Sequence, residues 1–430
     1  MIILNKKISN FTLPLIALNI VQLIISQISL AIVSQGSFEN LAGISSIENI
    51  LFALAGILGA FSFGFNIKGS RALGQNNQEN FLAYLAANIK INFYLGISFI
   101  LMDLLFAKPI LKYIYGFSGS MLENTTNFLL VMAPYLLLTP FSFTFTSLAK
   151  IEKKTKYIFW GSLLSGLLQL ILSYIFVTKF KSILGAGLAN ILSLSFLVFF
   201  YTFLTRKTWS QVSLSTTDKI KDLARFSLPL LWQEILEGFL FIIIFEILMA
   251  RLGVRTLAIY ALSSQFLALV KMPSLMYGQA ESIFIPESLG ENKQNQRQIF
   301  KICLFSSYIY YLGFGLILFT FSKNISKFFL DNPKIIQELP KYLILVFTCS
   351  LSSPLYEISK YALQSLELEN TVFKYTFLIN LLAILSMTLV YINKQASFTS
   401  LFMITGLNSL ILAGIFLKIF LQTTKKATLN

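Results

Sequence analysis

Twelve mostly apolar stretches run through this chain, at 11–34, 44–66, 82–106, 126–148, 157–178, 183–204, 226–250, 257–288, 300–322, 342–366, 372–392 and 398–420. A helix rising ~1.5 Å per residue needs about 20 apolar residues to cross the ~30 Å hydrocarbon core of a bilayer. Water does not reach that core, so each backbone N–H and C=O must be bonded within the segment, and for stretches of this length the answer is an α-helix. Composition agrees. Only 12% of residues are charged and 56% are hydrophobic, whereas a soluble domain carries roughly 25% charged residues. The fold class expected is all-α integral membrane, with twelve transmembrane helices.

The charged residues orient the chain. Lys68, Arg71, Lys150, Lys153, Lys154, Lys156, Arg206, Lys207, Lys219, Lys221, Arg225, Lys293, Arg297, Lys425 and Lys426 fall in loops on one side or near the termini. The positive-inside rule makes that side, with both termini, cytoplasmic at the cell membrane. The net charge of +15 is thereby assigned to anionic lipid, not to nucleic acid. The first apolar run lacks a small-residue cleavage site and reads as an uncleaved span.

The chain contains no His, which removes imidazole metal sites, Ser/His and Cys/His dyads and imidazole proton relays. No P-loop is present, and two cysteines, Cys303 and Cys349, make no disulfide framework. An enzyme is not expected, nor a cofactor beyond a coupling H⁺ or Na⁺.

An internal repeat organises the spans. Phe11-Thr-Leu-Pro-Leu15 returns as Phe226-Ser-Leu-Pro-Leu230, and Leu73-Gly-Gln-Asn-Asn-Gln78 returns as Leu289-Gly-Glu-Asn-Lys-Gln294. The two copies lie six spans apart and so share one membrane orientation, the plan of a parallel repeat in secondary transporters. The domains expected are two six-helix bundles, 1–205 and 226–430, joined by a cytoplasmic linker at 206–225. Pro14 and Pro229 read as first-turn prolines, Gly74 and Gly290 as left-handed helix stops, and Gly185 and Gly187 as points of close helix approach.

These residues resemble the multidrug and toxic compound extrusion family, part of a larger superfamily of exporters and lipid-linked oligosaccharide flippases. The resemblance rests on Pro14 followed by Gln22, Leu41-Ala-Gly-Ile-Ser45, Ala72-Leu-Gly-Gln-Asn76, Ser288-Leu-Gly-Glu-Asn292 and Gly185-Ala-Gly-Leu-Ala189, in that family's order and spacing. It implies an antiporter that exports organic, cationic or lipophilic compounds by alternating access in exchange for H⁺ or Na⁺. A lipid-linked oligosaccharide flippase is the alternative; a channel, scaffold or intramembrane enzyme ranks lower. Where the family carries an Asp in its first span this chain has Ser29, and the Asn and Asp of its fifth span are matched by Gln169 and Ser173. The sixth-span Thr aligns near Asn190. The surviving oxygens can coordinate a cation but cannot carry a proton. The Glu found eight residues after the seventh-span Pro in part of the family is retained as Glu237.

Carboxylates inside the membrane are functional suspects. Gln233, Glu234 and Glu237 read as one polar stripe at mid-membrane, with Lys271 approaching from the eighth span. Glu48 is expected to share a depth with Ser29, Ser173 and Asn190 and to replace part of the lost cation site. Glu357 and Lys360, three apart, read as a simple pair; Asp103 and Glu246 as snorkelling groups; Glu281 as a residue near a loop. Lys90, Lys271 and Lys360 are the cations a lipid-diphosphate flippase would need. Small-molecule or lipid-linked substrate and membrane lipid are the partners expected, and the oligomeric state is left open.

Overall fold

A computed structural model describes residues 2–34, 38–114, 118–180, 183–213, 218–326 and 333–426, with side chains at most of these positions but not at 33–55. The described residues are helices and their connections. They assemble into twelve rods. The first six are Ile2–Ser34, Phe38–Gly74, Gln78–Pro109, Gly119–Val131 with Ala133–Ile151, Thr155–Phe180 and Ile183–Leu204. The other six are Ile220–Arg251, Val254–Gly290, Gln296–Ser326, Pro333–Cys349 with Ser353–Ser365, Glu369–Ile392 and Phe398–Lys426. Ten helices among the described residues are long and apolar enough to cross a membrane.

Several helices outrun the apolar stretches that announced them. The second and eighth spans are 37 residues each, or ~55 Å at ~1.5 Å per residue, so their ends project beyond the hydrocarbon. Helix continues there because propagation from turns already formed is cheap, while the side chains turn polar. The same effect puts Pro14 and Pro229 inside their helices, which start at Ile2 and Ile220, and not in the first turn. Each proline therefore denies the carbonyl four residues earlier its bond.

The repeat extends to backbone detail. At the two Leu-Gly loops the left-handed residue is Asn76 (φ 54°) and its counterpart Asn292 (φ 55°), not the glycines. Asn tolerates this region because its short amide bonds locally. Both loops close alike, Asn76 N–H on the Leu73 carbonyl at 2.9 Å and Asn292 N–H on the Leu289 carbonyl at 3.1 Å. A second matched pair carries no shared sequence: Lys153 (φ 58°) and Glu367 (φ 61°) end the fourth and tenth spans in the same conformation.

The chain divides into two compact units, Leu13–Leu231 and Met1–Thr12 with Trp232–Asn430. Each is entered within a helix. In the second unit, Phe11 packs edge-on against Phe284 of the eighth span, 5.5 Å between ring centres. In the first, Phe226 and Leu230 of the seventh span join a buried cluster with Ala60 and Ile67 of the second.

Close approach depends on specific glycines. A Cβ on Gly185 would lie 2.7 Å from Phe176, and one on Gly406 would lie 2.7 Å from the Cys349 carbonyl oxygen. A backbone atom cannot swing away as a side chain can. Gly406→Ala is therefore expected to destabilise the protein by ~1–3 kcal/mol, while Gly414→Ala, where a Cβ meets nothing within 4 Å, leaves it unchanged. Thermal unfolding in detergent, followed by tryptophan fluorescence, checks this.

Candidate functional site

Two departures from α-helix in the second unit fall against one cavity. Residues Ile235–Phe241 of the seventh span are π-helical, and the tenth span breaks between Cys349 and Ser353. Both line a cavity of about 320 Å³: Glu237 and Phe241 from the first departure, Cys349, Ser350 and Ser353 from the second. Irregular backbone at membrane depth is tolerated where it is buried in protein or lines a polar cavity, and π-turns recur at functional sites. The remaining wall is largely aromatic and aliphatic, with Phe245, Tyr260, Leu267, Phe402 and Leu412.

The polar groups converge on Glu237. Its Oε1 accepts a hydrogen bond from the Tyr356 hydroxyl and a longer one, 3.5 Å, from Gln233 Nε2. Its Oε2 pairs with Lys360 Nζ at 3.2 Å, and the same ammonium holds Glu357 Oε2 at 2.7 Å. Gln233 is fixed in turn by Gln364 Nε2, 2.9 Å from its Oε1. Lys360 is therefore shared by two carboxylates. If Glu237 takes a proton, Lys360 keeps a partner in Glu357. Lys271 lines the same cavity and makes no hydrogen bond or ion pair among the described residues. On the far wall Asn408 Nδ2 donates to Asn380 Oδ1 at 2.8 Å.

The expected stripe of three splits. Gln233 is buried and Glu237 faces the cavity, but Glu234 is exposed. Gln233 and Glu234 are adjacent in regular helix, which turns them about 100° apart. Sequence reading also treated Glu357 and Lys360 as a pair alone; they are paired, and Glu237 joins them. Tyr356 and Gln364 were missed. The available signal was the spacing of Tyr356, Lys360 and Gln364, which puts three polar side chains on one helical face.

In the first unit, Gln169 Nε2 bonds to Asn190 Oδ1, joining the fifth and sixth spans. Ser173, one turn beyond Gln169, is buried with its hydroxyl unpartnered among the described residues. Ser29 is also buried, whereas Gln22 is exposed. The Glu48 side chain lies outside the described residues. A buried quartet on other helices went unread: Asn92 Nδ2 donates to Thr144 Oγ1 at 2.7 Å, to Ser62 Oγ at 3.0 Å and to Asn88 Oδ1 at 3.0 Å. Two of the bland carboxylates also differ from expectation. Asp103 does not snorkel but is buried with Oδ2 unpartnered, and Glu281 is wholly buried. Packing by neighbouring helices, invisible in a hydropathy window, covers both. Glu246 is exposed as expected. Among the described residues no group of three or more His, Cys, Asp or Glu could hold a metal ion.

The MatE family model matches the chain twice, over residues 14–175 and 229–392. The chain belongs to the MatE family. Its members are transporters, and this is a multi-pass membrane transporter, not an enzyme. The two matches begin at Pro14 and Pro229, the prolines of the first repeated motif. A curated relative, "Probable multidrug resistance protein YoeA" of Bacillus subtilis (strain 168), is 22% identical over 346 residues, 76% of this chain and 74% of that protein. Among solved structures, a multidrug resistance MATE transporter of the MOP superfamily in an outward-facing conformation superposes with a TM-score of 0.89 at 15% identity, over 99% of this chain and 97% of that one. A MOP superfamily transporter from Pyrococcus furiosus Vc1, described as having a binding pocket of reverse polarity, gives 0.88 at 15% identity, again over 99% and 97%. At such identities the MatE chain shares the fold with these structures.

Removing Lys360 would leave two carboxylates facing each other. Lys360→Met is expected to cost ~3–5 kcal/mol, as for breaking a buried ion pair, and adding Glu357→Gln should restore much of it. Tyr356→Phe, which removes one hydrogen bond to a charged group, should cost only ~1.5–3 kcal/mol. Thermal unfolding of the four purified proteins at one pH checks the order.

Proposed function

We propose that this MatE protein exports lipophilic small molecules by H⁺ antiport, with Glu237 as the coupling carboxylate. The observation that carries the reading is the sharing of Lys360 between Glu237 and Glu357 at the wall of an apolar cavity. A proton on Glu237 would not strand the buried ammonium, which keeps Glu357 as its partner. Gain of the proton frees the Lys360 contact to Oε2 and alters the polar face presented to a ligand. The printed description of the Bacillus subtilis relative as a multidrug resistance protein supports export.

H⁺ is favoured over Na⁺ because the two oxygens of Glu237 are already engaged by Tyr356, Gln233 and Lys360. A sodium ion would have to displace an ammonium that already neutralises the group. In the first unit, Gln169, Ser173 and Asn190 offer oxygens without charge, consistent with coupling in the second unit alone. The flippase reading loses ground, since Lys360 is committed to carboxylates and Lys90 belongs to the other unit. Lys271 alone remains to meet a diphosphate. The lysine-rich loops support cytoplasmic termini.

Glu237→Gln keeps an oxygen that can accept from Tyr356 and Gln233, but it loses the acceptor for Lys360 and cannot exchange a proton. In proteoliposomes with an imposed pH gradient, it is expected to lose efflux of lipophilic dyes at least about tenfold, ~1.4 kcal/mol on the rate-limiting barrier, with unfolding temperature unchanged. Wild-type rates in this variant, or efflux driven by a Na⁺ gradient alone, would overturn the reading.

A further inference from the structure

The deepest carboxyl group of the second unit takes no part in the site described above. Glu281, on the eighth span, is 0% exposed, and neither Oε1 nor Oε2 has a hydrogen-bond partner among the described residues. It sits ten residues, or ~15 Å, beyond Lys271 along the same helix. An ionised carboxylate cannot persist in such a place without a donor or a cation; the group is accommodated by taking up a proton.

Among the described residues no cation pairs with it. The ninth span presents the wholly buried Cys303, a thiol. The tenth presents Tyr361, which packs where Gly278 lacks a side chain, and Lys360, which is held by Glu237 and Glu357. On its own helix the charged neighbours are Lys271, at the cavity, and Glu287, near the helix end. From the first helix, which packs here through Phe11, Lys6 and Lys7 are exposed. Between the cavity and Glu281 the helices carry buried hydroxyls that also lack partners, Ser274 two turns before Glu281 and Ser307 one turn after Cys303. Buried unpartnered hydroxyls cost stability, so two of them on the helices that carry Glu281 and Cys303 are a feature that packing alone does not ask for.

We propose that Glu281 is a second proton-carrying site of this transporter, loaded in the packed state described here and connected to the cavity along the Ser274 and Ser307 side. The ligand is a proton, and no bond other than O–H forms or breaks: Glu281 takes it from cavity water as a neutral carboxylic acid and returns it to water when the eighth span is hydrated. The proposal rests on the proton-antiport reading but places its site on a different residue and helix from Glu237.

The experiment uses full-length protein in lipid nanodiscs and proteoliposomes. Infrared spectra at neutral pH are compared for wild type, Glu281→Gln, Glu237→Gln and Cys303→Ser. Gln mimics the neutral acid in size and should fold. The expected result is a protonated-carboxyl C=O band in wild type that Glu281→Gln removes, Glu237→Gln retains and Cys303→Ser shifts. Proton-driven transport should fall at least tenfold in Glu281→Gln, while binding of the transported dye is unchanged. No band lost in Glu281→Gln overturns the proposal, as does a lost band with wild-type transport, which marks a structural acid. If Glu237→Gln transports normally and Glu281→Gln does not, the reading of Glu237 fails and this one stands. A wild type indifferent to the pH gradient overturns both. Should Glu281→Gln not fold, the shift of the band in Cys303→Ser decides: no shift rejects the site.

Discussion

Hydrocarbon offers the backbone nothing to bond to, and from that constraint the rest of this protein follows. Each span closes its own N–H and C=O groups, and so each is helical. The exceptions then become informative. The π-turn at Ile235–Phe241 and the break from Cys349 to Ser353 sit on different helices, yet both reach the same cavity. Irregular backbone at that depth is tolerated where it is buried in protein or lines a cavity. The position of the site is thus written in where the helices fail to stay regular.

The cavity balances its charges. Two carboxylates, Glu237 and Glu357, share one ammonium, and Lys271 stands alongside. Buried ion pairs are poor sources of stability, because desolvation consumes most of the attraction. Their retention here fits a role in function more than in stability. Tyr356 and Gln233 hold Glu237 in one orientation, so that gaining a proton changes its partners without requiring a search.

Much of this was legible in the residues. Hydropathy set the number of helices because twenty apolar residues in a row have one stable solution in lipid. The repeat was readable because Pro14 and Pro229 begin equivalent segments, and Glu237 stood out by its distance from Pro229. The partnership of Glu237 with Tyr356 and Lys360 was not legible, since it joins helices over a hundred residues apart in sequence. The splitting of Glu234 from Gln233 could have been read, since adjacent helical residues lie about 100° apart; the π-turn at Ile235–Phe241 could not, because no local residue pattern announces it. The burial of Asp103 and Glu281 depends on what other helices lay over them, and hydropathy averages that away. Asn76 and Asn292 show a subtler limit: Gly was the obvious left-handed residue, but the turn places that conformation two positions later.

Coupling at Glu237 would have an electrical consequence. Lys360 keeps Glu357 as a partner whichever form Glu237 takes, and over a full cycle the net charge moved is set only by what crosses. In the antiport reading, a turnover that admits that proton and releases a neutral compound carries one net positive charge across the bilayer. Such a cycle is electrogenic. A resting voltage then contributes ~2.3 kcal/mol per 100 mV for each charge moved, so export would continue on membrane potential alone where the inner and outer pH are equal.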